Sequence, residues 1–191
     1  MPAIFKGESR NRAKIQMYDI GLKLIKKYGI KKTSVEDITR ETGIAKGTFY
    51  NFFETKETFI HEIILHQRQK IKAKFSSLIE KKESLDIQDV ENILTDLTFD
   101  GNNLYAYLDD DDMRGLELKI PEATNSKSFD KDIALMLLNN IKSNRTCDYK
   151  IVANYIKILS LANINKDKMQ TEVFKQTVAL LISSLCNYIF G

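Results

Sequence analysis

Residues 33–59, TSVEDITRETGIAKGTFYNFFETKETF, decide how this chain folds. Thr33 followed by Glu36 fits a capping box, the hydroxyl and the carboxylate each satisfying an amide that a helix start leaves without a partner. Val35, Ile38 and Thr42 recur at helical spacing and share one face, which leaves Glu36, Asp37, Arg40 and Glu41 on the other. Gly43 stands where this helix must stop, because glycine enters the left-handed region without a side-chain clash. Ile44 then plugs the corner, and a second short helix runs from Ala45 to about Phe52, anchored in the core by Phe49 with Phe53 beneath. Its leading end, Lys46, Gly47 and Thr48, is small and polar. That suits a helix whose first turn approaches base edges and phosphates, where backbone amides also favour phosphate oxygens. Two short helices hinged at a glycine make a helix-turn-helix, a device for laying the second helix in a major groove.

The segment resembles the DNA-binding signature of the TetR family of bacterial transcriptional regulators. Thr33, Ile38, Gly43, Ile44, Ala45, Gly47, Thr48, Phe49, Tyr50, Phe53, Lys56 and Glu57 stand at matching places. The resemblance implies that Thr33, Lys46, Gly47, Thr48, Tyr50 and Lys56 meet DNA, mostly at phosphates, and that Asn51 projects into the groove, where an amide can pair with adenine. Three positions depart from the pattern. Phe52 stands where a phosphate-bonding histidine or tyrosine is frequent, Glu54 where lysine is frequent, and Thr39 replaces a common alanine on the buried side, its hydroxyl able to bond back to the backbone. Together they imply weaker nonspecific DNA affinity than a typical member has.

Charge supports the same reading independently. Residues 1–56 hold 12 Lys and Arg against 6 Asp and Glu, whereas 57–191 hold 17 against 20, so the whole-chain charge of +3 hides a basic head on a mildly acidic body. A basic face raises DNA affinity through counterion release and makes it salt-sensitive. With 191 residues the chain suits one or two small domains. Its 8 Gly and 2 Pro are few for a β-rich protein, which needs turn residues between strands. Helical periodicity dominates, and the expected class is all-α: a helix-turn-helix head over 1–54 and a helical regulatory and dimerisation domain over 55–191. No apolar run approaches the roughly 18 residues of a membrane helix, and MPAIFKGESRNR lacks a signal-peptide core. Two cysteines are too few for a disulfide framework. The expected location is the cytoplasm, with no membrane partner.

Along the chain, Ile15, Tyr18, Leu22 and Ile25 mark a first helix over 10–28, closed by Gly29. Thr55 caps a long helix over 55–82, whose apolar stripe is Phe59, Ile63, Ile64, Ile71, Phe75 and Leu78. Gln67 to Lys70 interrupt that stripe, which suggests a bend or an exposed stretch. Residues 86–108 carry Ile87, Val90, Ile93, Leu94 and Leu97, then Phe99, Tyr105 and Tyr107 around Gly101. Asp109–Asp112 read as a solvated loop rather than a metal site, since metal ligands converge from different directions. Pro121 and the following TNSKS mark another loop, and further helices run over 129–143, 148–163 and 167–190.

The last helix is apolar on more than one face and so needs two partners. The resemblance implies a homodimer formed through the last two helices, about 148–190. Geometry asks for the same, since a dimer reads two half-sites about 34–36 Å apart. The resemblance also implies a pocket for a small apolar or amphipathic effector. Phe99, Tyr105, Tyr107, Met113, Phe129, Met136 and Tyr155 could line it, although any one of them equally suits ordinary core packing. Cys147 and Cys186 read as buried small apolars without an activating context. His61 and His66 lie about 140° apart around a helix and form no metal pair. No catalytic, metal or cofactor constellation stands out. The expected function is a DNA-binding regulator, a homodimeric repressor released from a double-stranded operator by an effector. Two other classes fit the same residues: a ligand-independent architectural or cell-division factor of the same fold, and an all-helical carrier or enzyme whose head is only helical packing.

Overall fold

The computed structural model of the chain describes residues 7–101, 103–124, 127–143 and 145–191. Residues 1–6 of the N-terminal stretch, and residues 125–126 of the loop expected after Pro121, lie outside them. Ten α-helices follow in order among the described residues: α1 Gly7–Lys32, α2 Val35–Thr42, α3 Lys46–Tyr50, α4 Lys56–Ile79, α5 Ile87–Phe99, α6 Asp110–Lys119, α7 Pro121–Thr124, α8 Lys127–Leu138, α9 Tyr149–Ile164 and α10 Phe174–Phe190. Extended pairing among them is limited to one parallel bridge, Leu85 with Ile141. The fold is all-α. It divides into two compact units, Met1–Gln67 with Asn102–Thr124, and Arg68–Gly101 with Asn125–Gly191.

In the first unit, α1 is interrupted at Gly29, whose φ of 80° and ψ of 165° are open to glycine alone. The closing turn consumes Thr33: its hydroxyl donates to the Gly29 carbonyl at 2.8 Å and its amide to the Ile30 carbonyl at 3.2 Å. The capping box of α2 therefore sits one residue later than Thr33 and Glu36 suggest. The Ser34 hydroxyl accepts from the Asp37 amide, and the Asp37 carboxylate accepts from the Ser34 amide, each at 3.1 Å. Helix α2 ends at Gly43 in the left-handed region, at φ 71° and ψ 19°. Thr39 and Thr42 bond back to the Glu36 and Ile38 carbonyls, at 3.1 and 2.8 Å.

Beneath these helices lies a cluster of aromatic rings. Phe49, Phe53 and Phe59 are fully buried, with ring centroids 5.1 Å apart for 49–53, 5.2 Å for 49–59 and 4.9 Å for 53–59. Tyr18 of α1 closes on two of them, 5.9 Å from Phe53 and 6.2 Å from Phe59. Its hydroxyl donates to Glu62, and burial first, then that carboxylate, holds its proton far more tightly than an ordinary tyrosine does. Helix α4 starts under the cluster, with the Thr55 hydroxyl accepting from the Thr58 amide at 3.0 Å.

Residues 103–124 belong to this same unit and correct two expectations. The acidic run is a helix start rather than a loop: the Asp109 carboxylate accepts from the Asp112 amide at 2.7 Å and opens α6, where negative charge meets the positive end of the helix dipole. Lys31 at the end of α1 pairs with Asp109 at 2.9 Å and with Asp111 at 3.6 Å. Pro121 opens the short helix α7, where its missing N–H costs nothing. Leu104, Leu116 and Ala123 join the core of the head.

The second unit is built from the end of α4 with α5, α8, α9 and α10. Helix α5 is capped by a reciprocal Asp86–Asp89 pair and stops at Phe99, well short of 108. Lys82 bonds both Asp89 carboxylate oxygens at 2.6 Å. Val90, Leu94, Ile133, Leu137, Val152, Ile156, Val178, Ile182 and Leu185 form its buried centre. The last helix begins at Phe174, after two short 3-10 turns, rather than at 167. The expectation that no apolar run reaches membrane length is also corrected. Thr171–Phe190 is 20 residues long and contains an 18-residue window of mean hydropathy 1.3, long and apolar enough by composition to cross a membrane, and 33% of that window is buried.

The compact units divide the chain elsewhere than at 54/55, because the first half of α4 and residues 103–124 complete the core of the head. The unit boundary crosses α4 between Gln67 and Arg68, inside the polar interruption of its stripe. Gln67 itself is buried.

Gly21 is the close approach on which the aromatic cluster seats. A Cβ there would lie 2.5 Å from the Phe59 ring and 3.1 Å from Ile63. Because Phe59 is locked among other rings, Gly21→Ala is expected to destabilise the head by about 1–3 kcal/mol, read as a lowered melting temperature. An unchanged melt would show that the cluster can relax.

Candidate nucleic-acid interface

Helix α3 is five residues long, so its orientation depends on its anchors rather than on its own propensity. Phe49 points inward, and Lys46, Gly47, Tyr50 and Asn51 are exposed around it, with Thr48 half-buried. Tyr50, 47% exposed, sets its ring edge-on to Phe49 at 5.5 Å, which fixes an outward hydroxyl. A Cβ on Gly47 would meet nothing within 4 Å, so the backbone there is open to an incoming surface. Five of the seven residues singled out for DNA thus stand together on one short outward segment.

The other two do not. Thr33 is 1% exposed and its hydroxyl is spent on Gly29. It braces the turn before α2. Lys56 is half-buried, and its ammonium donates to the Ile30 carbonyl at 2.6 Å, fastening the start of α4 to the end of α1. Burial lowers its pKa below that of an ordinary lysine.

One pairing and one residue of this surface escaped the sequence reading. Glu36 of α2 reaches across the turn and pairs with Lys46, each shifting the other toward its charged form. The pair is ten residues apart and crosses a helix boundary, so no helical spacing announces it. Arg10 of α1 donates to the Asn51 carbonyl at 3.2 Å and lies over the Phe52 ring at 4.8 Å, a contact spanning 41 positions. At the start of α2, Asp37 is held ionised down to about 2 by the Ser34 hydroxyl, the Ser34 amide and Arg40.

Residues 18–63 match the family model described as bacterial regulatory proteins, tetR family. The chain carries a TetR-family DNA-binding domain. Solved structures resemble the fold of the whole chain. FadR from Bacillus halodurans, a fatty acid degradation regulator, is 19% identical, with a TM-score of 0.63, over 89% of this chain and 94% of that one. A TetR transcriptional regulator from a Rhodococcus species is 15% identical, with a TM-score of 0.57, over 92% and 96%. FadR from Bacillus subtilis, solved with stearoyl-CoA, is 17% identical, with a TM-score of 0.52, over 88% and 97%. No curated protein matches this chain.

The seven residues expected to line a pocket separate between the units. Tyr105, Tyr107 and Met113 belong to the TetR-type head, where the Tyr105 hydroxyl donates to the Ala123 carbonyl and Lys26 lies 5.8 Å from the Tyr107 ring. Phe99, Phe129, Met136 and Tyr155 pack against the core of the second unit. There Phe99 meets Phe174 edge-on at 6.2 Å, and Arg68 lies 5.5 Å from the Phe129 ring. An open hollow of about 380 Å³ on the head is lined by none of the seven but by Asp19, Leu22, Lys23, Lys26 and Lys27 of α1. Cys186 is buried and its thiol is pushed up to about 11 by that burial, while Cys147 lies 3.6 Å from the Tyr188 carbonyl.

Glu36 competes with phosphate for the Lys46 ammonium. Glu36→Gln is expected to tighten binding to a duplex by up to about fivefold at low salt and to steepen its salt dependence. Titration of both proteins across a salt series checks this, and weaker binding by the variant would show that Glu36 positions Lys46 for DNA.

Proposed function

We propose that this chain is a homodimeric repressor that holds a double-stranded operator through α3 and releases it when a small apolar or amphipathic effector binds. The observation that carries the proposal is the outward surface of α3, seated on a buried aromatic floor. Lys46, Thr48 and Tyr50 are its phosphate contacts, and the Asn51 amide is its base reader.

The dimer rests on the last two helices. Ile151, Ile158 and Leu161 of α9 are exposed, as are Val173 and Leu180 at α10, the last by 73%. Gln176, Thr177, Ser183, Ser184 and Asn187 complete an uncharged exposed stripe along α10. A stripe without charge, on the most apolar helix of the chain, is a surface that a second copy would cover. It also accounts for the low burial of Thr171–Phe190 without a bilayer.

For the effector, Phe99, Phe129, Met136 and Tyr155 supply apolar walls in the second unit, and the stearoyl-CoA complex of the Bacillus subtilis relative supports an amphipathic ligand. Release works as a population shift: the effector favours an arrangement of the body in which the two reading helices no longer match operator spacing. Helix α4 carries the change, since it contributes to both units. Within the head, Lys119 of α6 pairs with Glu57 of α4 at 2.7 Å, so α6 and α4 move together.

The test is the genomic DNA that co-purifies with the protein, together with its assembly state. The wild type is expected to sediment as a dimer of the 22.0 kDa chain and to enrich an inverted repeat with half-sites about 34–36 Å apart. Leu180→Glu is expected to give a monomer that loses this enrichment. A monomeric wild type, or co-purifying DNA without any repeat, would contradict the dimeric reading.

A further inference from the structure

Phe52 follows the recognition helix and has no hydrogen-bond donor of its own, so it offers a phosphate nothing directly. Its ring is nevertheless occupied: the Arg10 guanidinium lies over it, 4.8 Å from the centroid. The same guanidinium donates one N–H to the Asn51 carbonyl at 3.2 Å, on the residue that ends α3. Arg10 is exposed, and among the described residues no carboxylate pairs with it. A guanidinium has five donors in a rigid plane, and two contacts already fix that plane.

The result is a preset cation, brought from α1 to the trailing end of α3 beside the exposed Tyr50 and Asn51. A free arginine would lose much side-chain freedom on binding a phosphate. This one is already ordered by the ring and the carbonyl, and the residue is exposed. Lys46 at the leading end of α3 must first give up its contact with Glu36.

We propose that Arg10 is a phosphate-binding residue of the interface, positioned by the Phe52 ring and the Asn51 carbonyl, so that α1 and α3 grip the DNA backbone together. This rests on the reading of α3 as the groove-facing helix. The guanidinium spans two adjacent phosphate oxygens with the fork it does not spend on Asn51. Phe52 serves as a positioning residue that acts only through Arg10.

The experiment measures association with a mixed-sequence duplex as a function of salt for the full chain, using Arg10→Ala, Arg10→Lys and Phe52→Leu. Each phosphate neutralised contributes a slope of about −0.9 in log K against log salt. Arg10→Ala is expected to flatten the slope by about one unit per bound head. Arg10→Lys keeps the charge and so the slope, but binds several-fold more weakly because the planar fork is lost. Phe52→Leu is expected to weaken binding with the slope retained. Thermal melts of the three variants verify that the head stays folded, which the exposure of Arg10 favours. Parallel lines for the wild type and Arg10→Ala, whatever their vertical offset, would make Arg10 a mere brace for α3 and overturn the proposal. A wild type whose duplex binding ignores salt would instead bring down the reading of α3, and Arg10 with it.

Discussion

Three phenylalanine rings hold the reading surface in place. Phe49, Phe53 and Phe59 come from α3, from the turn after it and from α4, and they meet at 4.9–5.2 Å with no exposure, Phe59 edge to face with the other two. A five-residue helix has too few internal hydrogen bonds to persist alone, so its direction is dictated by where Phe49 can be buried. Once that ring goes in, Lys46, Gly47, Tyr50 and Asn51 are forced outward. Gly21 makes the arrangement possible from the opposite side, because α1 approaches Phe59 at a spacing that leaves no room for a methyl group. The outward polar face follows from the inward aromatic one.

Much of this was legible in the sequence, and for a physical reason. Helix stops at glycine and apolar anchors at helical spacing are local signals, so Gly43, Phe49, Phe53 and the Gly29 closure could be placed from spacing alone. The cap was misplaced by one residue because Thr33 and Ser34 both have an acid three positions on. The choice between them was made by Gly29, whose carbonyl takes the Thr33 hydroxyl. Asp109–Asp112 were read as a solvated loop because four consecutive acids do not converge as metal ligands do. A helix dipole and Lys31 make the run a helix start instead, and neither is visible within the run itself. Thr33 and Lys56 were assigned to DNA through the resemblance; in the fold the Thr33 hydroxyl donates to the Gly29 carbonyl, and the Lys56 ammonium gives one of its three N–H groups to the Ile30 carbonyl.

The long-range electrostatics were the least readable layer. Arg10 meets Asn51 across 41 positions, Lys31 meets Asp109 across 78, and Lys119 meets Glu57 across 62. All three tie the head together, and two of them bring residues 103–124 into it. The boundary of the reading unit therefore does not follow chain order. The basic surplus of residues 1–56 is correspondingly smaller in effect than its count, since Lys31 and Lys46 are paired with carboxylates and Lys56 is half-buried.

The central claim, that α3 is offered to a groove rather than serving as internal packing, meets its most direct test at Gly47. That position touches nothing in the free protein, so Gly47→Phe adds bulk only where a duplex would lie. The measurement is the melting temperature of the variant beside its affinity for the co-purifying DNA. The account expects an unchanged or raised melting temperature, because glycine is a poor helix former, with DNA affinity reduced by about tenfold or more. Full DNA affinity in a protein carrying that phenylalanine would contradict it.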